Sequence, residues 1–212
     1  GPISIGRART VARGWLENES VWLHMEYKYL LEMLRSGLHQ EFFEDLRHCA
    51  IPFLNPETYG RSTTENSSFL VSDVYPEKSQ VGRGFMARLS GATAEFIHMW
   101  MLMCAGERPF RLDAENRLEA ALRPILPSWL FTSSPGRLEL TAPDGKPVAH
   151  DLPPCSFAFL FLRHTLVTYS QRGPCRNTFG PRGATIQSMR LTYDDGATVE
   201  IAGDVIPAPH AE

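Results

Sequence analysis

The chain has 212 residues, of which 43% are hydrophobic and 21% are charged, and its net charge is −3. This composition supports one medium domain or two small ones with an apolar core, and it excludes an intrinsically disordered chain. The charge balance gives no reason to expect a nucleic-acid-binding surface. We predict no membrane-spanning helix because no run of 18 apolar residues occurs. We expect no secretory signal peptide because no uninterrupted apolar segment follows Arg7 and Arg9.

The four cysteines, Cys49, Cys104, Cys155 and Cys175, show no C-x-x-C spacing. A chain of this length does not need disulfides to build a core. We therefore predict four reduced, buried thiols rather than a disulfide or a zinc site, and a cytoplasmic compartment.

Helical patterns dominate the first half of the chain. The apolar spacing predicts three helices, from about Ser20 to Ser36, from His39 to Cys49, and from Ser90 to just before Gly106. Asn18 and Ser20 are candidate N-caps of the first helix. Apolar residues lie on two faces of that helix, so we expect it to be buried on both sides. One face carries Val21, Trp22, Met25, Tyr29 and Met33, and the other Leu23, Tyr27, Leu30 and Leu34.

The second half carries short β-rich segments and most of the turn signals. The predicted strands are Leu118 to Leu122, Arg137 to Leu140, Ser156 to Leu162, Thr165 to Tyr169, Thr185 to Tyr193 and Ala197 to Ile201. Asp194-Asp195-Gly196 indicates a hairpin, and Asp144-Gly145 indicates another turn. This spacing favours a small antiparallel sandwich with a structural role. We place the domain boundary between residues 112 and 113, giving a helical segment 1–112 and a β domain 113–212.

The segment that opens the third helix is a candidate anion site. Ser90 is a suitable N-cap, and the small residues after it leave the first backbone N–H groups accessible to an anion. A tight helix crossing that requires Gly91 and Ala94 is the alternative interpretation.

A second group of polar and aromatic residues precedes the first helix. Glu17, Asn18 and Trp22 suit a sugar, whose apolar ring face stacks on an indole and whose hydroxyl groups need hydrogen-bond partners. The helix dipole alone would equally explain Glu17, and His24 taken alone fits a satisfied core residue. Arg61, in the polar segment from Tyr59 to Ser68, either lines a polyol site or belongs to a solvated loop. We predict no metal site, because the i, i+3 pair Glu95 and His98 has no second copy.

These segments together resemble the C-terminal part of cellobiose phosphorylase and its relatives, glycoside hydrolase family 94. Those enzymes carry a Glu-Asn-Gly-Gly-x-x-x-His segment, and here Glu17-Asn18 is followed by His24. They later carry a Thr/Ser-Gly-Ser/Thr-Ala-Ala-Trp segment, and here Ser90-Gly91 opens a helix. The segment Leu102 to Pro109 and the segment Pro124 to Trp129 match the family's helix end and its entry to the C-terminal β domain. The resemblance covers about residues 14–206.

The resemblance implies an α+β fold, with the last helices of an (α/α)6 barrel followed by an antiparallel two-layer β-sandwich. It implies inverting cleavage of a β-glucosidic bond by inorganic phosphate, which is a co-substrate, and no other cofactor. His24, Ser90 and Gly91 would bind phosphate, and Glu17 would lie beside the sugar and the phosphate. We add Asn18, Trp22 and Arg61 as predicted substrate-binding residues.

The chain also departs from the family pattern. Glu19-Ser20 replaces Gly-Gly, and Glu95 stands in the usually aromatic region. The family's general acid is an aspartate in an upstream segment that does not occur here, so we predict no catalytic residue in this chain. We therefore expect a C-terminal fragment of a phosphorylase-like enzyme.

We expect this fragment to bind a β-linked glucoside or oligoglucan together with phosphate. We also expect it to associate with the upstream part of the enzyme or a second copy, and with neither nucleic acid nor membrane. The alternatives are a glycoside hydrolase or transglycosylase relative, a non-catalytic carbohydrate-binding module, and a helical interaction module.

Overall fold

The computed structural model describes residues 2–87, 90–141 and 145–211, without the side chains of residues 87, 90 and 91. The chain divides into two units, Gly1–Trp100 and Met101–Glu212. The first unit contains helices and one three-stranded antiparallel sheet, and the second contains four antiparallel sheets of two or three strands. The fold class is therefore mixed α+β.

Four α-helices are present in the described residues: α1 (Leu23–Arg35), α2 (His39–Cys49), α3 (Pro56–Tyr59) and α4 (Ser90–Ala105). Short 3-10 segments occur at Ile3–Thr10, Ile51–Phe53, Lys78–Gln80 and Ser128–Leu130. The predicted second and third helices are confirmed. They form where apolar residues recur at helical spacing, and α2 ends before Pro52, which cannot continue a helix.

The first predicted helix begins later than its pattern indicates. Val21 and Trp22 form strand β1, so α1 starts at Leu23. The predicted N-caps are wrong. Trp22 precedes the helix without a capping side chain, Ser20 Oγ donates to the Leu16 carbonyl, and Asn18 Nδ2 donates to the Val11 carbonyl.

The expectation that α1 is buried on both sides is also wrong. Leu23, Tyr27, Leu30 and Leu34 are buried, and with Phe42, Phe43 and Leu46 of α2 they form the core of the first unit. On the second face, Met33 is buried but Met25 and Tyr29 are exposed. One apolar face of α1 therefore suffices to close this core.

The sheet of the first unit pairs β1 (Val21–Trp22), β2 (Ser67–Leu70) and β3 (Gly84–Ala87) in the order β1-β2-β3. All four residues of β2 are buried. The sequence interpretation of Ser67 and Ser68 as part of a polar loop is thus wrong. The two serines interrupt the apolar pattern by which a buried strand is usually predicted. In the structure Ser67 Oγ forms a hydrogen bond with the Tyr59 hydroxyl at 2.6 Å, which allows the serine to be buried.

The second unit is built from hairpins. Its strands are β4 (Phe110–Leu112), β5 (Leu118–Ala121), β6 (Gly136–Thr141), β7 (Pro147–Leu152), β8 (Ser156–Phe161), β9 (Thr165–Ser170), β10 (Ser188–Thr192), β11 (Thr198–Ala202) and β12 (Val205–Ile206). They form the sheets β12-β5-β4, β6-β7, β8-β9 and β10-β11. The hairpin at Asp194-Asp195-Gly196 is confirmed, since β10 pairs with β11 around it. For the turn predicted at Asp144-Gly145, Asp144 lies outside the described residues.

The prediction of four reduced thiols is wrong for two of them. Cys155 and Cys175 form a disulfide with a Cα–Cα distance of 5.5 Å, although 20 residues separate them in sequence. The segment after β9 returns to the start of β8, and the short-range cysteine spacing could not indicate this. Cys49 and Cys104 are free and buried, and burial raises the pKa of the Cys104 thiol to about 12. The argument for a cytoplasmic compartment rested on reduced thiols and loses that support.

No helix among the described residues has the length and apolar character needed to cross a membrane.

Candidate functional site

The predicted phosphate-binding histidine faces α4. His24 is the second residue of α1, and its Nε2 lies 3.7 Å from Oε2 of Glu95, the sixth residue of α4. The two side chains are 23% and 19% exposed. The rings of Tyr27 and Phe96, which follow closely in the same helices, lie 6.0 Å apart between their centroids. The two helices therefore approach each other both at this aromatic pair and at His24 and Glu95.

The carboxylate that faces His24 is not satisfied. Among the described residues, Glu95 Oε2, Asn66 Oδ1 and Thr93 Oγ1 are buried atoms without a hydrogen-bond partner. Buried polar atoms in folded proteins nearly always have a partner, and a charged atom costs most when it has none. Two of these atoms, Thr93 Oγ1 and Glu95 Oε2, belong to the first two turns of α4.

Trp22 is the one aromatic side chain among the predicted sugar-binding residues, and it is exposed. Trp22 lies in β1 opposite Phe69 of β2, and the two ring centroids are 5.3 Å apart. Its exposed fraction is 37%. An indole supported by another ring and open to solvent suits stacking against an apolar sugar face.

Glu17 and Asn18 already have partners within the chain. Glu17 forms an ion pair with Arg7. A hydrogen bond from its own backbone N–H and then the bond from Arg7 lower the pKa of this carboxyl group. Asn18 Nδ2 donates to the Val11 carbonyl at 3.0 Å. These contacts fold the segment before α1, so a ligand would have to exchange with them.

Arg61 is likewise engaged. Its Nε donates to the Gly84 carbonyl at 2.9 Å, and its guanidinium forms an ion pair with Glu65. The arginine therefore connects the end of α3 to strand β3. This is a bracing contact, which neither the polyol-site interpretation nor the solvated-loop interpretation had anticipated.

The predicted anion site lies at the first turn of α4. The backbone of Ser90 and Gly91 begins the helix, while the side chain of Ser90 lies outside the described residues. Glu95 follows Ser90 by five residues, which is about 7.5 Å along a helix axis. His24 therefore contacts the second turn of α4, one turn beyond the amide groups that would hold an anion.

Sequence reasoning missed Glu95 as the partner of His24. It considered Glu95 only with His98, which is exposed, and as a departure from the family pattern. The available signal was composition, because Glu95 is the single acidic residue of the sixteen in α4. A lone carboxylate in an apolar helix needs a partner from another element. Among the described residues no group of three side chains is arranged to hold a metal ion.

Comparison with known proteins found no matching family model and no curated protein with a significant match. The resemblance to family 94 therefore stays a prediction based on motifs.

Proposed function

We propose that this chain is the C-terminal part of an inverting β-glucoside or β-glucan phosphorylase-like enzyme, to which it contributes part of the phosphate and sugar pocket. In this proposal α1, α2 and α4 are the last helices of an (α/α)6 barrel, and the second unit is a two-layer β-sandwich. The supporting observation is the 3.7 Å approach of His24 to Glu95 on α4, the helix that begins with Ser90-Gly91. It brings the histidine of one motif to the helix of the other.

The chemistry of the proposed pocket follows from its groups. The first N–H groups of α4 and its dipole attract an oxyanion, and an imidazole N–H adds a charge-assisted hydrogen bond. In phosphorolysis a phosphate oxygen bonds to the anomeric carbon while an acid protonates the leaving glycosidic oxygen on the opposite face. That acid belongs to the upstream part of the enzyme in this proposal. This chain therefore binds ligands and does not turn them over.

Trp22 is the residue best placed for the sugar. Its exposed indole provides a stacking surface two residues before His24, at the same end of α1. Glu17, Asn18 and Arg61 keep the surrounding segments in place through their internal contacts. In the proposal they contact the substrate only when those contacts are exchanged for sugar hydroxyl groups.

An interaction module is the second candidate function, and one observation favours it. Met25 and Tyr29 of α1 and Ile97 of α4 are exposed, and Tyr29 is 54% accessible. Apolar side chains of this size commonly belong to interfaces when they form a continuous patch. A helical partner, either the upstream part of the enzyme or a second copy, would cover them.

Phosphate titration of the chain tests the phosphorylase proposal. Inorganic phosphate should perturb the NMR signals of the His24 ring and of the first α4 amides. His24→Ala should weaken phosphate binding by about 1–3 kcal/mol, the value for a hydrogen bond to a charged group. His98→Ala, which removes an exposed histidine of α4, is the matched control and should leave the affinity unchanged. Equal phosphate affinity in the wild type and His24→Ala would reject the assignment.

Ligand binding and turnover separate the candidates further. The isolated chain should release no glucose 1-phosphate from β-linked glucobioses and phosphate, and robust release would contradict the fragment proposal. Calorimetry with β-glucans in the presence and absence of phosphate gives the second comparison. Sugar binding that does not depend on phosphate would favour the carbohydrate-binding module. A stable dimer without sugar or phosphate binding would favour the interaction module.

A further inference from the structure

We propose that Glu95 is a positioning residue for His24. Its carboxylate accepts a hydrogen bond from His24 Nε2, fixes the ring, and leaves Nδ1 to face the ligand. This inference rests on the proposed role of His24 in phosphate binding, and it concerns a residue for which the family pattern has no counterpart.

The Glu95 carboxylate needs a hydrogen-bond donor. In the part of the chain that the structure describes, Glu95 Oε2 is buried without a hydrogen bond, and an unpaired buried acceptor is costly. His24 Nε2 is the basic group that faces it among the described residues, at 3.7 Å. This distance exceeds a usual N–H···O bond by about 0.8 Å. In the proposal, rotation of one of the two side chains shortens this distance to that of a hydrogen bond.

The hydrogen bond made by one nitrogen of a histidine determines what the other can do. When Nε2 donates its proton to Glu95, Nδ1 is the nitrogen that faces away from Glu95, and in the neutral ring it is an acceptor and not a donor. When the ring is protonated on both nitrogens, Nδ1–H can donate to a phosphate oxygen while Nε2 stays on Glu95. Outer partners of ligand-binding histidines commonly fix orientation and tautomer in this manner.

A purely structural role does not account for Glu95. A partly exposed ion pair contributes little to stability, so packing alone does not require a carboxylate in an otherwise apolar helix. In the proposal, the role of this carboxylate is its effect on the imidazole.

The experiment compares Glu95→Met with Glu95→Gln in the full chain. Methionine has a similar shape but lacks an acceptor oxygen, whereas glutamine keeps one. Long-range ¹H–¹⁵N spectra report the protonation of each His24 ring nitrogen, and His24→Asn assigns the signals. The wild type and Glu95→Gln should show one tautomer with the proton on Nε2, and Glu95→Met should show a mixture of both. Glu41→Gln, an exposed carboxylate of α2, is the control and should resemble the wild type.

Phosphate affinity provides the second measurement. Glu95→Met should weaken binding of inorganic phosphate about tenfold, a typical effect of removing the outer partner of a ligating histidine. Glu95→Gln should restore part of this loss, and neither variant should melt at a lower temperature than the wild type. Identical His24 nitrogen signals in the wild type and Glu95→Met would overturn the positioning role. Absence of phosphate binding in the wild type would instead overturn the proposed function, and the ring nitrogens would still test the pair.

Discussion

The two units differ in whether their buried polar side chains have hydrogen-bond partners among the described residues. In the second unit, Ser156 Oγ pairs with Ser170 Oγ at 2.9 Å, and the Tyr169 hydroxyl donates to the Cys104 carbonyl at 2.7 Å. Thr178 Oγ1 bonds both to the Pro124 carbonyl and to the Leu126 N–H. The three buried side-chain atoms without a partner in the described residues, Asn66 Oδ1, Thr93 Oγ1 and Glu95 Oε2, all lie in the first unit.

This difference indicates where to test for a ligand. Buried polar atoms nearly always have a partner, and the three that lack one in the described residues include Glu95 Oε2 of the candidate pair. Under the proposed function we therefore expect ligand binding in the first unit, and the predictions below test the two units separately.

The largest expected effect on stability comes from adding a side chain at Gly84. A Cβ at Gly84 would overlap the ring of Tyr59 and lie 2.5 Å from Ser67 Oγ. Both neighbours are held by the hydrogen bonds of the Tyr59 hydroxyl to Ser67 and to the Glu65 carbonyl. Gly84→Val should therefore destabilise the first unit by more than about 3 kcal/mol, at the upper end of overpacking effects. Urea unfolding followed by hydrogen exchange measures the loss.

Gly136→Val is the matched control in the second unit. No atom lies within 4 Å of a Cβ built at Gly136, which opens strand β6. This variant should change stability by less than about 0.5 kcal/mol. Equal stability losses in the two variants would contradict the packing described around Tyr59.

The next effect concerns the disulfide of the second unit. Cys155 and Cys175 are 20 positions apart in sequence. A disulfide that closes a loop of this size stabilises a fold by about 3 kcal/mol. The double replacement of both cysteines by alanine should therefore lower the unfolding free energy of the second unit by about that amount. Reductant should reproduce the loss in the wild type. Cys49→Ala, which leaves the disulfide intact, is the control and should stay as sensitive to reductant as the wild type. Unchanged stability of the wild type in reductant would contradict the disulfide.

The sequence was most informative where a local rule decides the structure. Helices α2 and α4 and the hairpin at Asp194-Asp195-Gly196 follow from apolar spacing and turn residues within one short segment. Strand β2 was missed because its pairing partners, β1 and β3, lie in other segments of the chain and its serines are buried. Pairing between distant segments compensates for polar side chains in a manner that local patterns do not show.

The same limit applies to the candidate site. His24 was identified from a motif within the first helix, but its partner Glu95 is 71 positions later in sequence. The two residues meet where α1 lies beside α4, next to the ring contact of Tyr27 with Phe96. The internal contacts of Asn18 and Arg61 are equally non-local, since each side chain bonds a carbonyl of another segment.

The smallest expected effect is the pH dependence of the α1–α2 contact. Burial, and then the nearby charge of Asp45, raise the pKa of Glu26, while a hydrogen bond with the Cys49 thiol opposes this shift. A carboxyl group with a raised pKa in the folded state binds protons more readily when folded than when unfolded. Its contribution to stability is therefore complete below the unfolded pKa of about 4.3 and is lost as the pH rises through the folded value.

Glu26→Gln keeps the shape of this side chain and removes its charge. At pH 7 it should raise the unfolding free energy of the first unit by less than about 1 kcal/mol, since the group is half exposed and screened by solvent. The advantage over the wild type should disappear near pH 4, which urea unfolding at several pH values measures. Glu41→Gln on the exposed side of α2 should show no such trend. If the two variants followed the same pH dependence, burial of Glu26 between α1 and α2 would not be what disfavours its charged form.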